Sequence, residues 1–131
     1  MSRIKRRRVS MVFSWWVLTA FTVAPMPVFA KESAADNYRT YCWQCHGSAG
    51  NGKGINIRDM SVQPRDHTDS KTMSALSDDD IFKAIKEGGQ AVNKSVLMPP
   101  WGNTFPDEEI RDLVQYLRGL CHCQYGTSTQ K

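Results

Sequence analysis

The sequence predicts an all-α domain of three to four helices whose long loops wrap around a large group that the chain must bind. Three observations carry the prediction. Three segments repeat apolar residues at spacings of three and four, and no segment reads as a strand. The two connections between those segments exceed the roughly 12 to 15 residues usual in compact domains, so protein alone fills the centre poorly. Two cysteines and a histidine, in the order Cys-x-x-Cys-His, close the first of the three segments.

In chain order, the first element is not part of the domain. The chain has 131 residues, 40% of them apolar and 23% charged, which suits one globular unit. It opens with "MSRIKRRR", which holds five basic residues, and no acid appears before Glu32. An apolar run from Val9 to Ala24 and then "PMPVFA" follow, with Val28 and Ala30 three and one residues before the expected cut. That order of basic head, short apolar stretch and small-residue site predicts a secretory signal peptide over residues 1–30. A membrane anchor is the alternative, but the run is shorter than the roughly 20 residues a spanning helix needs.

Removal of that leader leaves one domain over residues 31–131, in which 12 Lys and Arg face 13 Asp and Glu. The basic pI near 9.0 therefore belongs to the export segment. Nucleic acid is excluded as a partner, because nothing basic enough to neutralise phosphates remains. All four cysteines lie in the exported part. Their expected setting is oxidising, the periplasm of a Gram-negative cell or otherwise the outer membrane face, where thiols are paired, ligated or modified.

The segment "KESAADNYRTYCWQCH" predicts the first helix, with Ala34, Ala35, Tyr38, Tyr41 and Cys42 on one face. From Gly47 to Thr72, Gly, Asn, Asp and Ser predict an ordered loop. "LSDDDIFKAIKEGG" predicts the second helix. Ser77 caps it, Asp78 to Asp80 meet its positive end, Gly88 stops it, and Ile81, Phe82, Ala84 and Ile85 face inward. A second loop carries "LMPPWGN". "FPDEEIRDLVQYLRGL" is the last helix, with Pro106 at its start and Ile110, Leu113, Val114, Leu117 and Leu120 on the buried face.

The chemistry is concentrated in "CWQCHGSAGNGKG". Cys-x-x-Cys-His is the attachment sequence for c-type haem: Cys42 and Cys45 supply thioethers and His46 reaches the iron. Zinc wants a second pair of ligands at comparable spacing, and the terminal Cys-His-Cys fits that poorly. A redox dithiol wants a βαβ setting, which a helical chain lacks. For the opposite side of the iron the sequence offers Met60, Met73, Met98, His67 and His122. Met98 is favoured, since it lies in a proline-flanked loop between two helices with little conformational freedom. Met60 and Met73 read as packing residues, and His67, within the polar "PRDHTDS", as a solvated surface histidine.

On these residues the sequence resembles the class I cytochromes c, small monohaem electron carriers of the bacterial type. "CHGSAGNGKG" is similar to the family's C-H-G-x-x-G-x-G-x-G, and "MPPWG" to its distal-ligand loop. Ala34 and Tyr38 stand where the family packs its first helix across Leu113, Tyr116 and Leu117 of the last. The resemblance implies one covalently bound haem c and iron ligation by His46 and Met98. Gly47, Gly50, Gly52 and Gly54 then let the backbone turn and lie close to the haem edge, with a loop carbonyl orienting His46.

The expected function is one-electron transport between respiratory protein partners, with no catalysis by the chain alone. Tyr38, Tyr41, Trp43, Phe82, Trp101, Phe105 and Tyr116 are available for an apolar shell that raises the potential. Alternatives are a dedicated haem subunit of a larger respiratory oxidoreductase, or a haem sensor or peroxidase with a labile sixth ligand. The tail, residues 121–131, departs from the family. Cys121 and Cys123 leave open a disulfide, a pairing between chains, a metal site with His122, or an inert frayed end.

Overall fold

The computed structural model describes residues 31–127. The expected leader over residues 1–30 and the last four residues lie outside the described residues. Among the described residues the regular structure is helical, and the one β feature is an isolated bridge between Gln124 and Thr127.

The first helical segment begins with α1, Ala34–Asn37, where the Ser33 hydroxyl accepts from the Asp36 N–H at 3.2 Å. The helix then widens into a π turn over Tyr38–Cys42 and tightens again into α2, Trp43–His46. Such widened turns are rare and recur at functional sites. Here Tyr38 is buried against Tyr116, with ring centroids 5.3 Å apart, while Tyr41 sends its ring to Trp101 and Phe105.

The expected loop over residues 47–72 is cut short by α3, Ser70–Ser74, capped by the Asp69 carboxylate accepting from the Lys71 N–H. Only Met73 is apolar in this turn, so no periodicity announced it. Helix α4, Asp78–Glu87, has a reciprocal cap: the Ser77 hydroxyl takes the Asp80 N–H and the Asp80 carboxylate takes the Ser77 N–H. Ile81 and Ile85 are buried on its inner face. A 3-10 turn over Gly89–Val92 follows, and α5, Asp107–Cys121, ends the domain.

Helix α5 is the centre of the packing. Its Ile110, Leu113, Val114 and Leu117 are buried against α1 and α4, each side chain contributing about 1.5–3 kcal/mol of apolar burial. Leu120 is only half-buried; Cys121 takes the inward position expected of it. Tyr38 and Ala34 meet α5 as the resemblance implies.

The sequence reading missed a buried cation. Arg118 is 2% exposed, and its guanidinium donates to the carbonyls of Met73 at 2.7 Å and Leu76 at 2.6 Å and to the Asp78 carboxylate at 2.8 Å. It joins α3, the start of α4 and α5. Beyond it, Cys121 and Cys123 are bonded to each other and buried, and the Gly126 N–H reaches the Ser74 carbonyl at 2.8 Å. Up to Thr127, then, the tail is folded back on α3, with His122 exposed at φ 50° between the two paired cysteines. Of the options left open by the sequence, the structure has the intrachain disulfide.

Candidate functional site

The loops enclose a cavity of about 860 Å³, within the roughly 300–1,000 Å³ typical of small-molecule and cofactor sites. Cys42 closes the π turn and Cys45 and His46 end α2, so helical spacing delivers all three to one wall. Both sulfurs are free thiols. Burial, and next the neighbouring Cys45, push the Cys42 thiol up to about 11, so it stays protonated at neutral pH. A reactive dithiol pair needs the opposite shift.

The His46 ring is held by the chain itself. Its Nδ1 donates to the Arg65 carbonyl at 3.2 Å, which puts the proton on Nδ1 and leaves the Nε2 lone pair free to bind a metal. Burial is the largest cause lowering its proton affinity, against the Arg65 hydrogen bond, which raises it. The orienting carbonyl comes from the strap over residues 64–67, not from the glycine loop. That loop instead folds back on α2, with the Gly52 N–H on the His46 carbonyl at 2.8 Å and the Gly54 N–H on that of Cys45 at 3.1 Å. The atoms that crowd it are protein: a Cβ on Gly54 would strike the Gln44 carbonyl. Close approach to its own helix, not only to a haem edge, accounts for the glycines.

Met98 reaches the cavity from the end of α4. Its carbonyl accepts from the Gly89 N–H at 3.0 Å, and the Trp101 and Gly102 N–H groups bond the last α4 carbonyls, those of Ile85 and Lys86, at 3.0 Å each. Gly88 is required beneath this loop. It has φ +85°, and a Cβ there would lie 2.9 Å from the Met98 carbonyl and the Pro100 nitrogen.

Tyr41, Trp101 and Phe105 form one apolar wall, with centroids 5.2 to 5.9 Å apart, and Tyr38 also borders the space. Trp43, Phe82 and Tyr116 do not line it, which corrects part of the expected shell. Phe82 is half-buried against the core but away from the cavity, with the Arg111 guanidinium of α5 4.8 Å from its ring centre.

The clearest correction concerns His67. Far from being solvated, it is 8% exposed, and its ring stacks on His46 with centroids 4.4 Å apart and planes 16° from parallel. Burial is the first cause of a proton affinity depressed to about 3, with the His46 and Arg65 charges adding to it, so the ring is neutral. A turn explains the error: exposed Asp66 accepts from the N–H and hydroxyl of exposed Thr68, and the residue between them is buried. A ring stacked on the face of His46 cannot ligate from the opposite side of one metal ion. His122 is exposed at the far end of α5. Met60 and Met73 both face the cavity together with Met98.

These donors fit haem c: two free thiols, one histidine with Nε2 available, a thioether sulfur and aromatic walls. They do not fit zinc, since among the described residues no three His, Cys, Asp or Glu side chains are arranged to hold a metal ion together.

Known proteins agree with this geometry. The family model described as "Cytochrome C oxidase, cbb3-type, subunit III" matches residues 29–117. The solved KustC0563 c-type cytochrome is 26% identical with a TM-score of 0.54, over 68% of this chain and 98% of that one. The Kuenenia stuttgartiensis reducing HAO-like protein complex Kustc0457/Kustc0458 gives 27% identity and a TM-score of 0.54. That match covers 74% of this chain and 45% of that longer one. No curated protein matches the chain.

Proposed function

The chain belongs to the cytochrome c family, whose chemistry is haem-based electron transfer, and on that premise we propose that it is an exported monohaem carrier of single electrons between respiratory proteins. One observation supports this above the others: Cys42, Cys45, His46 and Met98 share a single cavity of cofactor size.

Cys42 and Cys45 would hold the haem through thioethers to its two vinyl-derived carbons. His46 would bind the iron through Nε2, and the Met98 sulfur would serve as its second protein ligand. Met98 is preferred to Met60 and Met73 because its backbone is fixed between Gly89 and Pro99, whereas Met73 is packed into the core beside α5. The bound haem supplies a reversible ferric and ferrous couple. The protein would supply two neutral ligands, an imidazole and a thioether, and a wall of Tyr41, Trp101 and Phe105 that keeps water away, all of which favour the ferrous form. With His46 and Met98 both given to the iron, the chain would keep no substrate position of its own.

The leader expected over residues 1–30 supports a periplasmic site for this carrier, or one on the outer face of a membrane in a cell without a periplasm. Mass spectrometry of the protein from a host that attaches haem c tests the proposal. The expected product begins at Lys31 and carries one haem that survives denaturation; a protein of apo mass, or one holding zinc, contradicts it.

A second reading, a dedicated subunit of a larger oxidoreductase, draws support from the matched model's description as an oxidase subunit and from the neighbour that is a protein complex. Affinity purification from the native membrane separates the two: a stoichiometric partner that survives high salt favours the subunit, and a free chain the carrier.

A further inference from the structure

His46 is held by one hydrogen bond, and one bond is not enough to fix a ring. The Nδ1 contact to the Arg65 carbonyl sets the tautomer and anchors one atom, but the imidazole can still pivot about that contact. The remaining freedom is rotation of the ring plane, which decides how the ligand's π orbitals meet the metal.

His67 removes it. Its ring lies parallel to that of His46 at 4.4 Å, an aromatic contact that allows sliding but resists tilting. The brace is itself anchored. Its backbone N–H reaches the Gly50 carbonyl at 2.6 Å. Its Nδ1 lies 3.4 Å from the Tyr38 hydroxyl, which donates to the Gly47 carbonyl at 3.2 Å. The Tyr38 ring meets that of His67 edge-on at 66° and is fixed in turn against Tyr116 of α5. A polar side chain in so buried a place thus has a partner, and the series runs from α5 through Tyr38 and His67 to His46.

We infer that His67 is a positioning residue: by stacking on His46 it sets the plane of the axial imidazole and so the electronic state of the bound iron. The inference rests on the proposed function, in which His46 ligates haem. It concerns a planar face and not a charge, so phenylalanine at position 67 is expected to serve and an aliphatic side chain is not.

The test uses the full holoprotein and its His67→Phe and His67→Leu variants. For each, the low-temperature electron paramagnetic resonance of the ferric state, the midpoint potential and the thermal unfolding midpoint are recorded. His67→Leu is expected to broaden and shift the low-spin ferric signal and to move the potential, while His67→Phe keeps both near the parent. Parent-like signals in both variants, even with lowered unfolding midpoints, overturn the inference and leave His67 a packing residue. Equal changes in both variants also overturn it, because they assign the effect to the lost polar ring and not to stacking. If His67→Leu does not assemble, His67→Met makes the same comparison with a flexible, non-planar chain. A parent protein without a low-spin haem c signal refutes the functional proposal instead, so the two failures are distinguishable.

Discussion

Replacing Arg118 by methionine should remove a large part of the domain's stability, although the residue lies far along the chain from the Cys-x-x-Cys-His motif. The guanidinium is 2% exposed and satisfies the Met73 and Leu76 carbonyls at 2.7 and 2.6 Å. Each acceptor left without a donor costs about 1–3 kcal/mol when it stays buried. The Asp78 carboxylate is 48% exposed and rehydrates, so the ion pair adds only about 0–1 kcal/mol. The methionine stem regains part of the apolar contact of the lost one. The net loss is then about 2–4 kcal/mol, against the roughly 5–15 kcal/mol that holds a domain together. At about 4–8 °C per kcal/mol for a chain of this size, the unfolding midpoint falls by roughly 8–32 °C. Guanidinium and thermal unfolding of the holoprotein, followed by far-ultraviolet circular dichroism, measure it. Asp78→Asn is the control and should cost no more than about 1 kcal/mol. A loss below about 1 kcal/mol for Arg118→Met, or an equal loss for Asp78→Asn, would refute the assignment of the stability to the two buried carbonyls.

Gly88→Ala places a Cβ at φ +85° against the Met98 carbonyl and Pro100 nitrogen; it should cost at least about 1–2 kcal/mol and weaken the spectral signature of methionine ligation, read in the ferric visible spectrum. Converting Cys121 and Cys123 together to serine opens a three-residue loop, for which chain entropy gives about 1.5 kcal/mol, measurable as a shift in the denaturant midpoint. Hydrogen bonds from the Ser77 hydroxyl and backbone N–H hold the Asp80 carboxyl below its usual range. Its contribution is therefore complete above the unfolded value and is lost as pH falls through the lower folded one. Ser77→Ala should flatten that acid limb in a series of unfolding curves.

Elements whose pattern is repeated were legible from sequence. Helices α4 and α5 announce themselves through Ile81 and Ile85, and through Ile110, Leu113, Val114 and Leu117, each set behind a cluster of acids. The motif residues were legible because Cys-x-x-Cys-His has a fixed covalent meaning. Helix α3 was not, since five residues with one methionine carry no period. The π turn was hidden for a different reason: it arises from where Tyr38 and Tyr41 must point in three dimensions. His67 and Arg118 are polar side chains buried by partners 29 and about 40 residues away, Tyr38 for one and Met73, Leu76 and Asp78 for the other. Local sequence shows such residues as surface until the fold supplies the partner. The aromatic shell was half legible, because composition names the rings but only the fold decides that Phe82 packs half-buried away from the cavity while Phe105 is buried in its wall.

The most direct test of the account is the visible spectrum of the purified holoprotein in both redox states, with and without carbon monoxide. If His46 and Met98 fill the axial positions, the ferric protein shows a weak charge-transfer band near the red end and the ferrous spectrum does not move with carbon monoxide. That band should vanish in Met98→Ala and survive in Met60→Leu and Met73→Leu. A ferrous spectrum of the unsubstituted protein that shifts with carbon monoxide would contradict the account, giving the iron an open position and the chain a sensing or catalytic role.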